Sequence, residues 1–304
     1  MNKIKVEVLC VGVTSWDLTF LVDRNPEPDE KMIADAFHSC GGGPAANAAI
    51  AAAKLGLKVC FIGYLGNDIY GKMHLDELNA AGVNTDHIVF GDKQTPVSAV
   101  LLKPNGERAL VNYRANHDYL KSSQSDTINP DFKVVLMDGH EPELSDHILK
   151  QRTANKFVSI LDAGSLHQGT KRLFQKVDYQ VASSKFAAEM TGSTNPEIAI
   201  EGLSKLNPQS VITLGSQGVI WKISDNTGKL PGLPVKAVDT TGAGDVFHGV
   251  FAACIALDWD WYSALKYANS AAALSCTKIG GRTSIPDKKQ IDQIYQKYYQ
   301  DLPQ

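Results

Sequence analysis

Short apolar runs rich in β-branched residues alternate along the chain with stretches whose apolar positions recur at helical spacing. Val6–Val13 is predicted as a buried strand, and further strands are predicted at Val59–Tyr64, Val134–Met137, Val158–Leu161, Val177–Val181 and Val211–Leu214. Helical patterns fall between them, at Ala45–Leu55, Gly71–Ala81, Ile148–Ala154, Ala187–Thr191 and Ile198–Leu206. Strands that are apolar along their whole length, alternating with helices, predict a mostly parallel sheet covered on both faces. From Asp245 onward the pattern is mainly helical, over Val246–Leu257, Trp261–Thr277 and Lys288–Tyr299. Two segments break the alternation: Leu18–Val22 with Lys31–His38, and Thr95–Lys103 with Ala109–Tyr113, read as antiparallel strands. Phe90-Gly91-Asp92 and Pro104-Asn105-Gly106-Glu107 read as turns, the second with an Asn-Gly hairpin signal. The expected organisation is a main α/β domain (1–16, 39–94 and 114–304) with a small discontinuous β lid (17–38 and 95–113). Ser122–Asn129 reads as a polar connection inside the main domain.

Composition narrows the function classes. The 304 residues are 43% hydrophobic, so a packed core is affordable and long disorder is not expected. A net charge of −3 argues against a nucleic-acid binder. No apolar run approaches a membrane span, and Glu7 interrupts the first strand early, so neither a membrane segment nor a signal peptide is read. The five cysteines form no CxxC pair and sit in apolar company, as reduced thiols in a cytoplasmic protein would.

The strongest chemical signal is Asp239-Thr240-Thr241-Gly242-Ala243-Gly244-Asp245, set directly before an apolar helix. Small residues let the backbone N–H groups of Gly242, Ala243, Gly244 and Asp245 converge, and the helix N-terminus adds its positive dipole end. Such a hole suits a transferring phosphoryl group. A second glycine-rich turn, Gly41-Gly42-Gly43-Pro44, opens the alanine-rich helix that carries Asn47 one turn in. An amide both donates and accepts, which suits sugar hydroxyls. Rival motifs fail. Gly66-x-x-x-x-Gly71-Lys72 lacks the hydroxyl of a Walker A loop, because Met73 follows. There is no GxGxxG after the first strand, no HExxH and no GxSxG, and the eight histidines show no metal-ligand spacing.

Together the two glycine-rich stretches resemble the signatures of the ribokinase (PfkB) family of carbohydrate kinases, and the likeness extends over Gly63–Gly71 and Thr213–Gly218. The resemblance implies a ribokinase-like three-layer α/β/α fold and an ATP-dependent sugar kinase using Mg2+. It implies Asp245 as catalytic base and Gly242, Ala243 and Gly244 as anion hole. It implies Asp17, Gly42, Gly43 and Asn47 as sugar contacts, with Thr213, Gly215 and Gly218 along the nucleotide phosphates and Asn269 beside the adenine. Asp239, Thr241 and Ser284 fall where many members hold a monovalent cation, usually K+. Within the family the likeness points to ketohexokinase-like members and bacterial sulfofructose kinase. Lys31 and Asn112 match two of the latter's three sulfonate-cradling residues, His140 stands where the third is arginine, and Arg108 lies in the lid. The loss of that arginine favours a neutral sugar, and the likeness to ketose kinases implies a ketose. Many members also carry an Asn-x-x-Glu motif tied to magnesium, where this chain has Ser183-Ser184-Lys185-Phe186. A homodimer through the lid is a further expectation. A sulfofructose kinase, a nucleoside kinase and a non-catalytic sugar- or nucleotide-binding regulator remain the alternatives.

Overall fold

The computed structural model describes residues 6–114, 118–125, 132–153 and 155–299. An eight-stranded sheet forms the middle layer. Its parallel strands are β1 (Val8–Val11), β4 (Val59–Ile62), β9 (Val134–Met137), β10 (Val158–Ala163), β11 (Tyr179–Ser183) and β12 (Gln209–Thr213). The antiparallel hairpin β13 (Val219–Ile223) and β14 (Asn226–Leu230) extends one edge. Val8 pairs with both Val59 and Val134, so β1 lies one strand in from the β4 edge, and the chain visits β4 on one side before β9 on the other.

The parallel strands are buried on both faces, which is why they read as unbroken apolar runs. Val8 and Cys10 face one core with α1 (Pro44–Ala53), α7 (Ala243–Ala256) and α8 (Trp261–Ser275). Leu9 and Val11 face the other, with α3 (Pro142–Lys150), α5 (Ser184–Thr191) and α6 (Pro196–Ser204). The period-two alternation of a strand thus builds the three layers directly. Pro44 starts α1 at the position where a missing N–H costs nothing. Asp260 caps α8, accepting from Tyr262 N and Ser263 N, and Asn195 caps α6 in the same way. α1 and α7 lie backbone to backbone: a Cβ added at Gly249 would stand 2.3 Å from Ala48 O.

The small sheet runs β3-β2-β7-β8, with β2 (Ser15–Leu21), β3 (Ala36–Gly42), β7 (Val97–Leu102) and β8 (Arg108–Tyr113). Its central pair, β2 and β7, is parallel. A two-stranded parallel pair, β5 (Tyr64–Gly66) and β6 (Val89–Gly91), and helix α2 (Ile69–Ala80) complete this side. α9 (Lys288–Tyr299) closes the chain against α8, and the short α4 (Gln168–Leu173) follows β10.

Several expectations need correction. The helix read at Ile148–Ala154 is α3, which begins six residues earlier at the Pro142 start signal; Ala154 lies outside the described residues. Phe90-Gly91 belongs to β6 instead of a turn. Lys31–Asp35 is loop, and β3 begins only at Ala36. The strand at Val177–Val181 is shifted to Tyr179–Ser183, where the ladder to β10 begins with Tyr179 opposite Ile160. Residues 126–129 of the polar connection lie outside the described residues.

Candidate active site

A cleft of about 400 Å³ opens at the carboxyl ends of the parallel strands, under β8. It sits where the strand order reverses around β1, the place where open α/β sheets bind ligands. Val13 and Thr14 after β1, Asp138 and His140 after β9, and Gly164 after β10 form its floor.

Among the residues singled out by sequence, Asp17, Gly43 and Asn47 line this cleft from one side. Thr241, Gly242, Gly244 and Asp245 line it from the N-terminus of α7, and Thr213 from the end of β12. Arg108, Asn112 and His140 line the end toward the small sheet. Gly42 and Ala243 adjoin these residues in sequence without lining the cleft. Lys31 is exposed in the β2–β3 loop, away from the cleft lining. Gly215 and Gly218 flank a short turn after β12; Gly218 has φ 91°, and a Cβ there would stand 2.1 Å from Leu230 O. Asn269 is buried in α8, where its amide donates to Pro231 O and to the Tyr299 hydroxyl, each at 2.9 Å.

Local sequence explains the geometry. Gly242 caps α7 with φ 75°, a left-handed conformation that favours glycine, and a Cβ there would meet Gly281 O at 2.7 Å. Gly244 differs, since a Cβ there would meet nothing within 4 Å, so this face of the turn is open space. Asp245 sits in the first helical turn and accepts from Asn47 Nδ2 at 2.8 Å. Burial pushes its carboxyl pKa up, opposed by the Asn47 hydrogen bond and by His248, Arg108 and Arg282. Asp17 is buried, accepts from Ser15 Oγ at 2.8 Å and is pushed up by burial. Its carboxylate occupies the space a Cβ on Gly42 would need, 2.3 Å away.

Sequence reasoning gave no role to five residues at or behind the cleft. Asp138 accepts from Val13 N at 2.9 Å and Ala45 N at 3.3 Å, tying β1 to the start of α1, and burial pushes it to about 6. Asp162 and His248 face each other at 3.2 Å beneath the α7 turn. His248 Nδ1 is also 2.6 Å from Gly244 O, and Nε2 is 3.1 Å from Val181 O. Arg114 lines the cleft beside His140. Arg282 reaches Asn47 Oδ1 at 3.2 Å. The two aspartates stand at strand ends in an α/β chain, a positional cue available from sequence; His248 and Arg282 stand in the family-like stretches 239–249 and 280–282, and Arg114 carried no cue. Arg108 bonds Thr240 Oγ1 at 2.6 Å, joining β8 to the signature loop. His140 stacks on His167 at 4.4 Å, and burial holds both well down, to about 4.

These shifts set a pH dependence. Glu141, buried beside the site, is pushed up to about 7 by burial. A carboxyl raised in the folded state keeps a proton that the unfolded chain has released, so stability falls as pH rises through that window. His140 and His167, held down, act oppositely once the unfolded chain protonates its histidines below about pH 6.5. We expect Tm to rise between about pH 8 and about pH 6.5 and then to level off. Glu141→Gln, which keeps an acceptor for Leu120 N, should flatten the rise in thermal melts across that range. An unchanged slope in that variant would remove Glu141 from the account.

Over residues 5–288 the chain matches the family described as pfkB family carbohydrate kinase. It is 30% identical over 292 residues to a ribokinase of Bacillus subtilis, covering 94% of this chain and 98% of that one. It is 29% identical over 303 residues to fructokinase-2 of Oryza sativa, covering 88% of each. A crystal structure assigned as a ribokinase from Agrobacterium tumefaciens superposes with a TM-score of 0.90 at 26% identity, covering 98% of this chain and 99% of that one. The chain therefore belongs to the pfkB family of carbohydrate kinases and has the ribokinase-like fold. Its activity class is that of an ATP-dependent carbohydrate kinase. These relatives are ribokinases and a fructokinase, a broader grouping than the ketohexokinase-like and sulfofructose kinase likeness read from sequence. No helix among the described residues is long and apolar enough to cross a membrane.

Proposed function

We propose that this kinase transfers the γ-phosphate of ATP to a hydroxyl of a small ketose, with Asp245 as the base and the Gly242–Gly244 turn as the anion hole. The observation that carries the reading is the Asn47–Asp245 hydrogen bond at the open N-terminal turn of α7, in the cleft that Asp17 also enters. Asp17 and Asn47 orient the sugar; one amide hydrogen of Asn47 goes to Asp245, leaving the other for a hydroxyl. Asp245 accepts the hydroxyl proton as the oxygen–phosphorus bond forms, and the amides of the turn stabilise charge on the transferring group. The small sheet serves as the lid that excludes water, with β8 already bonded to Thr240. Thr213, Gly215 and Gly218 border the nucleotide phosphates, and Asn269 lies toward the base. A panel of ketoses, aldoses and nucleosides, scored by acceptor-dependent ADP release, tests the reading. Release with nucleosides alone would make this a nucleoside kinase, and release with none would favour a non-catalytic binder.

Magnesium would arrive with the nucleotide, neutralising phosphate charge. It usually takes one or two carboxylates beside substrate phosphates. Ser183 caps α5 and Phe186 is fully buried, so neither stands in for the Asn-x-x-Glu pair, and Asp138 and Asp162 are the cleft carboxylates that remain to help hold the ion. A K+ site at Asp239, Thr241 and Ser284 also belongs to the proposal. The hydroxyls of Thr241 and Ser284 are buried with no hydrogen-bond partner, as oxygens awaiting a hard cation would be. Asp239 accepts from Thr241 N and Gly280 N, each at 2.8 Å. A cytoplasmic location and a homodimer through the exposed face of the lid complete the reading; Val111 on β8 is 73% exposed.

A second reading has its own support. Arg114 lines the lid end of the cleft with Asn112, its charge felt by His140, which favours an anionic sugar such as a phosphorylated or sulfonated ketose. On a neutral ketose we expect Lys31→Ala, an exposed loop change, to alter kcat/KM by less than about twofold. Arg114→Ala should be equally mild on fructose. Assays on fructose and on a 6-phosphorylated ketose decide: a tenfold to hundredfold loss, roughly, on the anionic ketose alone would establish the second reading.

A further inference from the structure

Arg282 lies between α8 and α9 and is only 5% exposed, although arginine is almost never fully buried unless paired. Its guanidinium spans three parts of the chain. Nη1 pairs with Glu77 Oε2 of α2 at 2.8 Å. Nη2 donates to Gly42 O at 3.3 Å and lies 3.0 Å from His74 Nε2. Nε donates to Asn47 Oδ1 at 3.2 Å, and Asn47 Nδ2 donates in turn to Asp245 Oδ2 at 2.8 Å.

The chemistry of these groups fixes a direction. A carboxamide can rotate half a turn and exchange its oxygen for its nitrogen. Arginine has donors only, and an ionised carboxylate accepts only. With Arg282 on one side and Asp245 on the other, a single orientation of Asn47 satisfies both; the reverse sets donor against donor and acceptor against acceptor. Glu77 balances the buried cation and also accepts from Gly41 N at 2.9 Å, so the same pair anchors the glycine turn ahead of α1. Burial and the neighbouring guanidinium hold His74 well below its usual pKa, so no second cation competes in the pocket.

We infer that Arg282 is a positioning residue for phosphoryl transfer: it fixes the Asn47 amide, and the amide holds the Asp245 carboxylate with its second oxygen free for the sugar hydroxyl. The inference rests on Asp245 as the base. It differs from a purely structural clamp in one respect, since Arg282 then acts on turnover mainly through Asn47, its direct charge effect on Asp245 being the smaller one.

The test is a double-mutant cycle on the full-length chain: Arg282→Met, Asn47→Ala and the double variant, with kcat, both KM values and thermal melts for each. Arg282→Met is expected to lower kcat by about 10- to 100-fold, the scale of a misplaced reacting group, with much smaller changes in KM. In the Asn47→Ala background the same change should alter kcat by less than about twofold, because the intermediary is gone. Equal losses in both backgrounds would overturn the inference, whatever the melts show. If Arg282→Met fails to fold, Arg282→Lys takes its place: it keeps a cation for Glu77, yet one ammonium cannot replace the fork that also reaches Asn47. Wild-type kcat in Arg282→Lys would likewise sink the role. Asp245→Asn separates the two layers of the argument. If that variant keeps its turnover, the base assignment fails and this inference with it; if it loses turnover while the cycle is additive, only the inference fails.

Discussion

Asp245→Asn is expected to lower kcat by about 10²- to 10⁴-fold, the range for loss of a general base. Folding should survive. Asparagine still presents an oxygen to the Asn47 amide, and what is lost from the first helical turn is a dipole interaction of about 0.3–1 kcal/mol. The removed charge was itself disfavoured, since burial raises the Asp245 pKa, which further limits the structural cost. Nucleotide binding, measured by calorimetry with ADP, should stay near wild type because the turn amides remain. A variant retaining more than about a tenth of wild-type kcat would exclude proton transfer through this carboxylate.

Gly244→Val is the second large effect, and it separates a steric role from a conformational one. A Cβ at Gly244 meets nothing within 4 Å and the residue has no left-handed φ, so valine is accommodated by the fold and projects into the open space of the turn. That space is where the transferring group must lie if the amides are the hole. We expect kcat/KM for ATP to fall by about 10²- to 10³-fold, the scale of a lost oxyanion site, with Tm unchanged or higher. Gly242→Val should behave oppositely, failing in folding itself, because its φ is 75° and Gly281 O is 2.7 Å from the new Cβ. Normal ATP turnover in a well-folded Gly244→Val protein would remove the anion hole from this turn.

The central strands were legible because burial on both faces leaves no polar positions to blur the pattern, as in Val134–Met137, where expected and observed bounds agree. The hairpin of β13 and β14 was missed. β14 reads Asn-Thr-Gly-Lys-Leu, a mostly exposed edge strand whose pairing to β13 carries no apolar signature of its own. α4 is six residues long and too short to show a period. Within the site, Asp245 and the glycines were readable because their function demands particular residue types at fixed spacing. The role of Arg282 was not, because its partners lie far from it in sequence. Only the convergence of positions 47, 77 and 282 buries it. Lys31 shows the reverse case: its residue type suggested a substrate contact, whereas its place in the β2–β3 loop is exposed.

The backbone-to-backbone contact of α1 and α7 bears on how the molecule comes to be made. Ala48 and Gly249 are about two-thirds of the chain apart in sequence, and one face of the alanine-rich α1 has its cover in α7. Contacts of such separation form late, since the loop-closure entropy must be met before they repay it. During synthesis the N-terminal half emerges first and waits with that face uncovered. Asn47 and Asp245 meet only when α7 docks, so enzymatic competence and completion of the core are one event. Refolding followed by ATP turnover should therefore report the same rate as refolding followed by fluorescence of Trp221, which is buried against Trp261 of α8, with no phase in which a folded core lacks its active site.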